Sequence, residues 1–119
     1  MPCRETEAVV AMTAGNLWKN LPAELPQELS TDILRAGDVR VERIVSRGHS
    51  SPPGFWCDQD EHEWVLLLTG HARLEFADQS TLIELRPGDF INLPAHAKHR
   101  VAWTDPDQDS VWLVIFYRD

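Results

Sequence analysis

From residue 28 onward the apolar positions recur with a period of two, broken every few residues by glycine, proline or acidic turns. Ala72, Leu74 and Phe76 alternate with Arg73 and Glu75, and Thr81, Ile83 and Leu85 repeat the pattern. That spacing puts successive side chains on opposite faces of a half-buried strand. Glu28–Leu34 and Val39–Val45 flank Ala36-Gly37-Asp38, a hairpin signal. Glu63–Thr69 is almost wholly apolar after its first residue, which predicts a strand covered on both faces. Arg86-Pro87-Gly88-Asp89 reads as a tight turn, because proline presets φ and glycine accepts a positive value. Phe90–Leu93, His99–Trp103 and Ser110–Tyr117 complete a set of about eight strands. Short strands at regular spacing predict an all-β sandwich or barrel. Trp64, Trp103, Trp112, Phe90 and Phe116 are the candidate bulky filling.

Residues 1–26 do not share this pattern. Glu7–Met12 could form one helical turn, and Gly15, Pro22 and Pro26 interrupt the chain after it. The organisation expected is an arm over 1–26 and a β domain over 27–119. The arm carries Val9, Val10, Leu17, Trp18 and Leu21, enough apolar surface to lie across its own barrel or a partner's.

Charge narrows the partners. Eleven Lys and Arg face nineteen Asp and Glu, a net of −8. Such a chain is repelled by phosphate backbones and anionic lipid, so neither nucleic acid nor membrane is expected as a partner. The longest aliphatic run, Val65–Leu68, is far below the roughly 20 residues of a spanning helix. The first residues are charged and show no leader-like apolar stretch. Cys3 and Cys57 form no disulfide framework and suit a reducing compartment. A cytoplasmic location is the expectation.

The chemistry centres on two stretches. Glu63 opens an apolar strand on the face it shares with Val65 and Leu67, and a buried carboxylate there needs a partner. His99 opens a strand whose inward row continues at Val101 and Trp103, as a ligand-binding residue or as a satisfied core histidine. His71, after Gly70, and His49, in a Gly-Ser-Pro loop, read as solvated.

Together these stretches resemble the small single-domain cupins, over roughly residues 39–117. The family's first motif is G-x5-H-x-H-x3/4-E-x6-G. Glu63 and Gly70 match its second half, Cys57 and Gln59 stand at the two histidine positions, and Ser51 stands at the leading glycine. In the second motif, G-x5-P-x-G-x2-H-x3-N, Gly88, Pro94 and His99 match, while His96 replaces the second glycine and Trp103 the final asparagine.

The resemblance implies a double-stranded β-helix, or jelly-roll barrel, and a homodimer. It also implies one divalent metal ion (iron, manganese, zinc or nickel) on Glu63, His99 and Gln59, with Cys57 as a candidate additional ligand. An amide and a thiol in place of two imidazoles make a poorer donor set, so a pocket without metal stands as the other outcome. The function expected is a small molecule bound inside the barrel. The alternative is a metal-dependent enzyme of dioxygenase or isomerase type acting on a small polar substrate.

Overall fold

The computed structural model describes residues 12–78 and 81–119. Val9, Val10, Cys3, most of the expected Glu7–Met12 turn and Gln79 lie outside them. The elements are β1 (Leu29–Ala36), β2 (Val39–Ser46), β3 (His62–Thr69), β4 (Ala72–Phe76), β5 (Thr81–Leu85), β6 (Phe90–Leu93), β7 (His99–Thr104) and β8 (Ser110–Tyr117). No helix among the described residues is long and apolar enough to cross a membrane.

The strands form two antiparallel sheets, one ordered β1-β2-β8-β3-β6 and one ordered β5-β4-β7. This is the jelly-roll arrangement. The core lies between the sheets and comes from the inward rows: Val65 and Leu67 of β3, Leu74 of β4, and Trp112, Val114 and Phe116 of β8. The two-residue alternation seen in the sequence therefore sorts these side chains correctly.

The aromatic filling differs from the sequence expectation. Trp112 and Phe116 are buried, but Phe90 is 65% exposed. It packs beside Trp64 on the outer face of the large sheet. Trp103 also leaves the inward row. A register shift in the β4–β7 pairing places Val101 opposite Leu74 but Trp103 opposite Arg73. The extra residue of such a bulge reverses the facing of the residues beyond it. Trp103 then lies outside under the Arg73 guanidinium, 4.6 Å from the ring centroid. Thr104, opposite Ala72, is buried in its stead.

Residues 12–28 contain no helix or strand. They are tied to their own barrel by two arginines. Arg43 donates to the carbonyls of Leu17 (3.4 Å) and Lys19 (2.7 Å). Arg47 donates to those of Pro22 (3.1 Å) and Ala23 (2.9 Å).

Candidate functional site

Between the sheets lies a cavity with about 60 Å³ of space for the centres of water-sized spheres. Glu63 and His99 contribute its wall together with apolar side chains, among them Val65, Leu93, Trp112 and Val114. Glu63 stands on the inward row of β3, opposite Phe116 of β8 and Leu93 of β6. His99 opens β7 and is only 7% exposed.

Residues 57–59 belong to no strand, yet their positions are fixed. Cys57 and His99 exchange both main-chain hydrogen bonds, Cys57 N to His99 O at 2.7 Å and the reverse at 3.2 Å. Directly paired residues of this kind project to the same face, so Cys57 shares the His99 side. The Gln59 carbonyl accepts from His96 N (2.8 Å), and Asp58 bonds the His96 ring (2.8 Å). His96 sits at φ +67°, a left-handed conformation that glycine takes more easily. This accounts for the glycine of the family motif at that position. Here the latch to Asp58 accompanies a histidine.

The latch brings the three residues together. Gln59 Nε2 donates to Glu63 Oε2 at 2.8 Å. His99 Nε2 lies 3.5 Å from the same Glu63 oxygen. The other ring nitrogen, Nδ1, is 2.8 Å from the Ala97 carbonyl, which can only accept, so Nδ1 carries a proton. Burial pushes the His99 pKa down, but the hydrogen bonds it donates to Glu63 and Ala97 outweigh it and leave the pKa above its ordinary value. The protonated imidazole is thus stabilised relative to a free histidine, and its Nε2 faces the carboxylate. For Cys57, burial first and then Glu63 and Asp58 push the thiol pKa up, which disfavours the thiolate.

The donor set does not fit a tightly held ion. Among the described residues no group of three His, Cys, Asp or Glu side chains is placed to hold one. The Glu63 oxygen that would face it already accepts from Gln59, and burial and two nearby carboxylates disfavour the thiolate. What the arrangement offers instead is a closed Gln59–Glu63–His99 cluster at one part of an apolar cavity, able to hydrogen-bond a guest and to hold or give up a proton at Nε2.

Sequence reasoning missed Glu28, which also lines the cavity. Its carboxylate accepts from Ser46 Oγ (2.6 Å), which in turn accepts from Trp112 Nε1 (3.3 Å). No motif marks Glu28; only its place beside the first strand could have drawn notice. The other histidines lie outside the cavity but are not free in solvent. His71 bonds Glu84, and its ring meets the edge of Trp103. The His49 ring accepts from Arg47 N at 2.9 Å. Tight turns aim both rings back at neighbouring residues, which their polar sequence context did not suggest.

A small jelly-roll barrel with a histidine–carboxylate pair inside defines the class. The cupin domain profile matches residues 42–116, and the chain belongs to the cupin family. A protein of Ralstonia eutropha JMP134, provisionally named a mannose-6-phosphate isomerase, is 39% identical; the match covers 90% of this chain and 99% of that one with a TM-score of 0.86. A cupin superfamily protein of Desulfitobacterium hafniense DCB-2 is 25% identical over 83% of this chain and 84% of its own, with a TM-score of 0.67. An RmlC-like cupin protein of Desulfovibrio desulfuricans, 14% identical, covers 90% of this chain and 97% of its own with a TM-score of 0.71, a likeness of fold alone. No curated protein matches the chain.

Proposed function

We propose that this cupin binds a small molecule in the barrel interior and recognises it through His99, Glu63 and Gln59. The observation that carries the reading is that Glu63, held by Gln59, and His99 meet on a cavity whose lining is apolar apart from them and Glu28. Few convergent polar groups in an apolar hollow are the usual form of a ligand site. The likeness to the Ralstonia protein favours a second reading, a metal-dependent isomerase, and the donor set weighs against it.

One substitution separates these readings from a purely structural histidine. His99→Ala removes the cavity's imidazole but leaves Glu63 bonded to Gln59, so the fold should lose less than about 1 kcal/mol. Retained small molecules, read by native mass spectrometry, should disappear. Metal content, read by elemental analysis of protein purified without chelator, should be well below one per chain in both proteins. One metal per parent chain, lost in the variant, favours the isomerase reading. A stability loss of about 1–3 kcal/mol with any retained molecule still bound overturns both.

We also propose that residues 1–26 form an arm that lies on the barrel of 27–119, and that the protein is a homodimer in the cytoplasm. The outer face of the large sheet supports the dimer. Val41, Ile115 and Trp64 are register neighbours across it, as are Leu113, Leu66 and Phe90. These six are uncharged in a chain of net −8, and Arg43, which continues the second row beside Leu113, is turned to the carbonyls of Leu17 and Lys19. Patches of this kind mark contact surfaces, and a second copy places the same uncharged rows against each other without opposing the acidic surface. Light scattering at micromolar concentration should give the mass of two chains. A mass of one chain refutes the dimer.

A further inference from the structure

We infer that the cavity selects a compact, largely apolar molecule with a single hydrogen-bonding head group, and excludes sugar phosphates; this rests on reading the cavity as the ligand site. Three observations converge on it. The first is charge. None of the 10 lining residues is Lys or Arg, and two of them, Glu28 and Glu63, are carboxylates. A phosphate dianion brought in here would meet one imidazole, already facing Glu63, and no other cation. Burying a charge without a partner is strongly unfavourable.

The second is hydrogen-bonding capacity. A hexose needs partners for four or five hydroxyls. The wall away from His99 and Glu63 includes Ile44, Val65, Leu74, Val101 and Trp112. The Trp112 N–H is directed to Ser46 and is unavailable to a guest. Each buried hydroxyl left without a partner weighs against binding. Apart from His99 Nε2 and Glu63 the lining offers only the Glu28 carboxylate, already bonded to Ser46, so the site falls well short of four or five hydroxyls.

The third is size. At 10–15 Å³ of such space for each water, 60 Å³ holds about five waters, or a guest of fewer than about ten heavy atoms. A hexose phosphate has roughly sixteen. Phenol has seven, a flat apolar body and one weakly acidic hydroxyl.

The test compares phenol, xenon and mannose 6-phosphate on the full chain by NMR. Phenol should bind in the millimolar range or tighter and perturb Val65, Leu74 and Val101 methyl signals. Val101→Phe, which fills the hollow, should weaken it at least tenfold. Mannose 6-phosphate should leave those signals unchanged at 10 mM. If mannose 6-phosphate binds and His99→Gln abolishes it, the ligand class is wrong while the cavity remains the binding site. If xenon enters the cavity but phenol does not, the head-group assignment is wrong and the cavity again survives. If neither xenon nor phenol shifts those methyls, the cavity is not a ligand site and both readings fall. Should Val101→Phe unfold, Leu74→Phe serves in its place, filling the hollow from the neighbouring strand of the small sheet.

Discussion

Replacing Gly70 by alanine should cost about 4 kcal/mol, through left-handed strain of about 1–3 kcal/mol and overpacking of about 1–3 kcal/mol. Gly70 turns the chain from β3 into β4 at φ +92°. A Cβ there would lie 2.5 Å from Ser110 Cα and 2.8 Å from the Asp109 carbonyl, and would also overlap Ser110 Oγ. The obstacles are mostly main chain, and Ser110 is fully buried, so no side chain can swing aside. At about 3–5 °C per kcal/mol for a domain of this length, the melting temperature should fall by about 10–20 °C. Gly88→Ala is the control. Its φ is +94°, but nothing lies within 4 Å of the added methyl, so it bears the strain alone. Calorimetry giving equal losses for the two variants would show that contact with β8 is not what Gly70 relieves.

The second large effect comes from rebuilding imidazole at the two positions where the family motif has it. Cys57→His with Gln59→His should tighten zinc binding at least a hundredfold, because three imidazoles and a carboxylate make a far better donor set than an amide, a thiol, one imidazole and a carboxylate. The geometry favours it. Cys57 projects from the same face as the directly paired His99, and the Gln59 side chain already reaches Glu63. The loss of that hydrogen bond costs about 1 kcal/mol, which a bound ion offsets. Calorimetric titration checks the affinity and circular dichroism the fold. A folded double variant with zinc affinity within about threefold of the parent means that these positions do not converge on Glu63 and His99.

The succession of strands is legible in the sequence because each strand buries one face, and burial imposes the two-residue period. Where that one-face rule fails, reading fails with it. Counting from His99 places Trp103 inward, yet one extra residue in the β4–β7 pairing turns it out. Alternation carries no mark of a bulge, since a bulge depends on both strands. The size of Phe90 suggests the core, and pairing with Leu66 instead places it on the outer face. Within the site, Glu63 and His99 follow from periodicity, each opening an inward row. Gln59 follows only from motif spacing. It sits in no strand, and the hydrogen bonds that hold it come from residues 96–99, nearly forty positions away. Glu28 depends on contacts with Ser46 and Trp112 that no local pattern encodes.

The latch between residues 57–59 and 96–99 also decides where the barrel can be breached. The two sheets that wall the cavity are each held by continuous ladders, whose rupture would unravel the fold. On this side three main-chain hydrogen bonds, the Asp58–His96 contact and the Gln59–Glu63 bond join the segment to its neighbours. Releasing them leaves both sheets paired. A guest that enters on this side passes Gln59, the residue that touches Glu63, so that doorway and the recognition group are one and the same piece of chain.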